Sequence, residues 1–125
     1  MRILQQVSRV YTEEEHFERQ IRFYEELQGV KCERRVKIRE TGVEAAKIAG
    51  FLLFAGDKQH IDAIRHVNAI FYVDSLDDFF SWLAGQGVEI LHSPETVTGG
   101  RNLTARHADG LVVEYFEAQS TSSKH

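Results

Sequence analysis

The chain has almost no cysteine. Cys32 is alone in 125 residues, which excludes an internal disulfide and any multi-cysteine metal cage. No nucleophile motif surrounds it, so it reads as an inert strand residue. Long apolar runs are also missing: none approaches the ~18 residues of a membrane helix, and the opening MRILQQV lacks a sustained secretory core. A cytoplasmic protein without a membrane partner is the expectation. A large excess of one charge is missing too, with 15 basic and 19 acidic residues. A net charge of −4 offers no electrostatic case for a nucleic-acid partner. The local basic run Lys31, Arg34, Arg35, Lys37 and Arg39 reads as the solvated side of a strand. No Ser/His/Asp or Cys/His arrangement stands out. Gly99-Gly100 leads into strand-like sequence without a helix start, so it is a turn and not a phosphate loop.

What is present is patterned hydrophobicity. Residues 3–11 predict a strand. Thr12 and Glu15 have capping-box spacing for a helix to about Gln28, with Phe17, Ile21, Tyr24 and Leu27 on one stripe and Gly29 to end it. A charged strand over 30–40 follows, then a hairpin of 43–48 and 51–55 around Ala49-Gly50. The polar stretch at about 58–64 predicts a linker. Val67–Val73 predicts a second strand, and Ser75 caps a helix whose apolar side is Phe79, Phe80, Trp82 and Leu83. Asp77 and Asp78 stand at its start, where they favour the helix dipole. Residues 88–91 predict another strand, Pro94 a loop, and 102–106 a further strand; the residues from Gln119 on predict a fraying tail.

The stretch Ala108–Glu117, ADGLVVEYFE, organises the rest. Asp109-Gly110 is a strong hairpin signal. After it Leu111, Val113 and Tyr115 fall on one face, and Val112, Glu114 and Phe116 on the other. A carboxylate amid that apolar run must be paired, hydrogen-bonded, bound to metal or facing a wet cavity. Residues 48–57, IAGFLLFAGD, match it in pattern at an offset of 60, with Gly50 under Gly110 and Phe54 under Glu114. Each half thus reads strand, helix, strand, strand, strand. The expected fold is α+β: two tandem βαβββ modules, about 1–57 and about 65–118, forming curved sheets around a cavity within one domain, 1–118.

This order, with FYEELQG closing the first helix and the DG…E pattern from Asp109 to Glu114, resembles the vicinal oxygen chelate superfamily. That group includes glyoxalase I, bleomycin-resistance proteins and extradiol dioxygenases. The opening MRILQQVSRV is similar to the start of small bacterial glyoxalase I proteins. In the superfamily's metalloenzymes the first and last strands of each module supply the metal ligands. The resemblance carries those positions onto Gln5 (or Gln6 if the register shifts), Phe54, Asn68 and Glu114. Phenyl cannot coordinate and amide oxygens are weak donors, so the set is poor for a metal. No cofactor is therefore expected. A divalent ion on His66, His107 and Glu114 stays open, because a two-residue Asp109-Gly110 turn would put His107 on the face of Glu114. His16, His60, His92 and His125 read as exposed.

Arg9 resembles the arginine that grips an anionic substrate group in glyoxalase I; it could equally pair with Glu114 or sit at the surface. Phe54, Tyr72 and Phe116 are core or a stacking surface for a flat ligand. The expected ligand contacts are then Gln5, Arg9, Phe54, Asn68, Tyr72, His107, Glu114 and Phe116. Glu114 is the best candidate for any catalytic role. The leading expectation is a metal-free, non-enzymatic protein binding a small organic molecule, with a homodimer implied by the resemblance. The alternatives are a metal-dependent lyase, isomerase or dioxygenase using Glu114, and a structural or regulatory module.

Overall fold

The computed structural model describes residues 1–119; the predicted tail beyond Gln119 lies outside them. Among these residues the order is β1 (Ile3–Glu13), α1 (Phe17–Gln28), β2 (Arg34–Lys37), β3 (Glu44–Ile48), β4 (Phe51–Gly56), α2 (Lys58–Ile64), β5 (Ala69–Val73), α3 (Leu76–Gly85), β6 (Glu89–Val97), β7 (Gly100–Arg106) and β8 (Val112–Ala118). The fold is α+β, with βαβββ written twice along the chain. The residues divide into two compact units, one of Val7–Asn68 and one of Met1–Gln6 with residues from Ala69 on.

In the unit Val7–Asn68 the sheet order is β2-β3-β4-β1, with β1 parallel to β4 and the other neighbours antiparallel. Helix α1 covers one face: Phe17 and Ile21 pack on Ala46, Ile48, Leu53 and Ala55. Gly29 ends the helix at φ 69, as its position predicts. The Gln28 amide then ties that end to the β3–β4 turn, donating to the Ile48 carbonyl at 2.8 Å and accepting from the Gly50 N–H at 3.1 Å. The expected Thr12 capping box is not formed. Strand pairing continues through Thr12 and Glu13 to Gly56, and a short 3-10 turn over Glu14–His16 leads into the helix instead. The polar connection holds α2, started by Asp57, which accepts from the His60 N–H at 2.9 Å. Only Ile61 of α2 is buried, so its sequence shows no apolar stripe. The basic residues of β2 are exposed, as their pattern predicts.

In the other unit the order is β1-β5-β8-β7-β6, with β5 parallel to β8. The pairing scheme of the first unit therefore recurs strand for strand. Ser75 caps α3, accepting from the Asp78 N–H at 3.3 Å. Leu76, Phe79 and Leu83 of the helix pack on Leu103, Ala105, Val113 and Tyr115. Trp82 does not join them and is 49% exposed, because it lies off the buried stripe. Pro94 sits inside β6 and not in a loop; this edge strand slips register between Ile90 and His92 and again between His92 and Glu95, where a residue without an N–H is tolerated.

The β7–β8 connection differs from the two-residue turn that Asp109-Gly110 predicts. Gly110 N–H donates to the His107 carbonyl at 2.9 Å and His107 N–H to the Leu111 carbonyl at 2.8 Å, with Gly110 at φ 97. This is a three-residue loop closed by a left-handed glycine. Thr104, and not Ala105, therefore lies opposite Glu114.

Candidate functional site

Alternation divides each sheet into a helix-covered face and a helix-free one. In the unit containing β5–β8, Val113 and Tyr115 meet α3, so Glu114 and Phe116 lie on the helix-free face. Glu114 is 9% exposed. Its Oε2 accepts from Asn102 Nδ2 at 2.9 Å, which answers part of the cost of burying a carboxylate. Asn102 Oδ1 is buried and has no hydrogen-bond partner among the described residues. Asn102 stands opposite Phe116, and Phe116 opposite Tyr72, whose rings are 5.7 Å apart.

Beside Glu114, Thr104 is buried and within 2.8 Å of His92 Nε2. His92 Nδ1 lies 3.0 Å from the Ser93 carbonyl. A carbonyl only accepts, so Nδ1 carries the proton and Thr104 donates to Nε2 when the ring is neutral. His92 is half-buried and engaged, contrary to the expectation of an exposed histidine.

His107 is displaced from the expected cluster. The three-residue turn shifts its strand by one position against β8, which moves side chains to the other face. His107 Nε2 meets the Tyr115 hydroxyl at 2.7 Å, with Phe71 nearby, on the α3 side. Burial pushes the Tyr115 phenol above its ordinary pKa. His66 is likewise not on a strand: β5 begins at Ala69, and His66 lies exposed in the turn that follows α2. The His66–His107–Glu114 arrangement is thus not assembled, since His107 and Glu114 face opposite sides of one sheet.

In the unit Val7–Asn68 the helix-free face carries Arg9, Tyr11, Leu52 and Phe54. The Arg9 guanidinium lies 4.3 Å from the Phe54 ring centre, and its Nε donates to the Tyr11 hydroxyl at 2.8 Å. Tyr11 stacks on Phe54 at 5.5 Å and donates to the Val67 carbonyl at 2.7 Å. The next strands add Lys47, opposite Leu52, which is itself opposite Arg9. Lys47 is 4% exposed and meets Glu33 at 3.2 Å. Asn68 is exposed and its carbonyl accepts from the Arg9 N–H at 3.1 Å. Gln5 is exposed near the start of β1, as is Gln6.

Asn102, Thr104, His92 and Lys47 were not legible as site residues. Asn102 and Thr104 share the parity of a strand face, but only the turn length decides which face that is. The set Gln5, Phe54, Asn68 and Glu114 does not fit a catalytic metal: one member is phenyl, two are amides, and the carboxylate already accepts from Asn102. Glu13, Glu15 and His16 bring ligand-type atoms within 4.8 Å of one another, but at an exposed strand end where Arg19 already contacts His16 Nδ1 at 3.0 Å. Shallow clefts of about 290 Å³ beside Arg101 and about 440 Å³ beside Arg22 lie apart from Glu114 and Arg9.

Solved structures share this fold. Methylmalonyl-CoA epimerase from Mycobacterium tuberculosis matches with a TM-score of 0.74 at 16% identity, over 98% of this chain and 93% of its own. A mutant of 4-hydroxymandelate synthase from Streptomyces coelicolor matches with a TM-score of 0.61 at 16% identity, over 96% of this chain and 50% of its own. Both are members of the vicinal oxygen chelate superfamily, and the fold of this chain is the fold of that superfamily. A hypothetical protein from Methanosarcina mazei is 41% identical over 100% of both chains, with a TM-score of 0.87. The chain belongs to the same family as that protein. No protein-family model and no curated protein matches it.

Proposed function

We propose that the protein binds a small organic molecule without a metal ion and does not act as a metalloenzyme. The observation that carries this reading is Glu114: a buried carboxylate on a helix-free sheet face, hydrogen-bonded by Asn102 and bordered by the Tyr72–Phe116 ring pair. An apolar surface with few oriented polar groups is the usual composition of a small-molecule site. The residues assigned to ligand contact are Gln5, Tyr72, Glu114 and Phe116 in one unit and Arg9, Phe54 and Asn68 in the other. His107, on the α3 side, is withdrawn from that set. The metal-free reading is supported by Phe54 at the position where the superfamily's pattern calls for a ligand.

The reading also includes a homodimer, as the resemblance implies, and a cytoplasmic location. No helix among the described residues is long and apolar enough to cross a membrane. Native mass spectrometry of protein purified without chelator tests metal, ligand and subunit count together. The expected result is a dimer mass without stoichiometric metal; near-stoichiometric manganese, iron, nickel, cobalt or zinc would overturn the metal-free reading. Glu114→Ala is expected to keep the fold while weakening any ligand found by thermal shift.

A further inference from the structure

The helix-free face of the unit containing β5–β8 holds one polar atom that its own hydrogen bonds leave unused. Asn102 Nδ2 donates to Glu114 Oε2 at 2.9 Å, while Asn102 Oδ1 is buried with no partner among the described residues. The amide orientation is not arbitrary. Exchanging N and O would set the amide oxygen against the carboxylate with no proton between them, so Oδ1 is the open acceptor. A buried carbonyl of this kind is costly unless a donor meets it. Across the strands, Asn102, Phe116 and Tyr72 form one row, the two rings 5.7 Å apart and inclined at 51°. Glu114 lies on the same face, one row away.

We propose that Asn102 is a ligand-recognition residue whose Oδ1 accepts an N–H from a planar molecule resting against Phe116 and Tyr72. The chemical class is a ring bearing a primary amide or lactam N–H. An N–H donor completes the Asn102 acceptor. A ring carboxylate in its place would set anion against carbonyl, close to the Glu114 carboxylate, and a tertiary amide would leave Oδ1 unpaired. A site built to meet a polar group discriminates strongly against analogues that lack it. This inference rests on the small-molecule reading above and specifies its ligand.

Three probes with one ring separate the possibilities: benzamide, N,N-dimethylbenzamide and benzoate, each titrated into uniformly ¹⁵N-labelled protein. Benzamide is expected to shift the Asn102 side-chain amide signals and the Phe116 backbone signal, with an affinity at least tenfold above the other two. Asn102→Leu, similar in volume, is expected to lose at least tenfold in benzamide affinity with its backbone spectrum otherwise preserved. Equal affinity for benzamide and its dimethyl analogue overturns the donor assignment and leaves small-molecule binding standing. So does undiminished benzamide binding by Asn102→Leu. The analogue comparison uses the wild-type chain and decides the matter even if the variant does not fold. If no probe binds on this face, both the assignment and the reading beneath it fail.

Discussion

Glu114 and Tyr115 are neighbours in β8 with opposite surroundings. Glu114 lies on the helix-free face and is held by Asn102; Tyr115 is buried against α3 and meets His107 at 2.7 Å. Removing the acceptor from the Glu114–Asn102 contact leaves an amide N–H of Asn102 unmet. Glu114→Leu is therefore expected to lower unfolding free energy by about 1–3 kcal/mol, while Glu114→Gln, which keeps a carbonyl acceptor, costs less; urea midpoints compare them. An equal loss for both would show that the contact is not what matters. For Tyr115, burial raises the phenol pKa, so the folded chain holds that proton more tightly than the unfolded chain. The stabilisation is fully present below the unfolded value of about 10 and is lost as pH rises through the folded value. Stability is expected to fall above about pH 10, and Tyr115→Phe to flatten that alkaline limb at a cost of about 1 kcal/mol from the lost His107 contact. An unchanged alkaline limb in Tyr115→Phe would exclude this origin.

At the scale of elements, the β7–β8 hairpin depends on two glycines for different reasons. Gly110 occupies φ 97, where a side chain is strained though nothing lies within 4 Å to obstruct it. Gly110→Ala is expected to cost about 1–2 kcal/mol and keep the register. Gly100 has ordinary φ, but a Cβ there would collide with the Glu117 carbonyl and press on Ala118. Gly100→Ala is expected to cost more than Gly110→Ala and to disturb the β7–β8 pairing at that end, which cross-strand NMR contacts would reveal. The reverse order of losses would contradict this account. Turn chemistry was half legible here: Asp109-Gly110 marks a hairpin, but whether two or three residues turn depends on which carbonyl the Gly110 N–H finds. Likewise, Thr12 and Glu15 look like a capping box until strand pairing with Ala55 claims Thr12.

For the whole molecule, the acidic limb of stability has several small contributors. The Arg35 hydrogen bond lowers the Glu18 pKa, the His60 backbone N–H lowers Asp57, the Lys58 ammonium lowers Asp62, and the Arg2 backbone N–H lowers Asp74. Each folded carboxylate binds its proton less readily than its unfolded counterpart. Their contributions are present above about pH 4 and are lost as pH falls through the folded values. All four are exposed, so the expected decline is shallow and weakens further in high salt; denaturant melts at pH 3 and 6, with and without salt, check both features. The core is expected to matter far more. Leu76→Ala, at a fully buried position packed in the α3 cluster, should cost about 2–5 kcal/mol by the same measurement.

Hydropathy period, glycine placement and the 60-residue offset were enough to specify two βαβββ repeats, because each follows from local chemistry. They also put Glu114 and Phe116 on one strand face and Val113 and Tyr115 on the other, since alternation is a property of a single strand. Pairing between strands is not local. The three-residue turn sends His107 to the α3 side and brings Asn102 and Thr104 to the face of Glu114, and no single-strand pattern contains that information. The sequence by itself determined that a carboxylate would sit amid the apolar run of this strand. Tertiary structure alone decided that its partner is an amide, with one buried oxygen left over, because a one-residue change in register exchanges every side chain between the two faces.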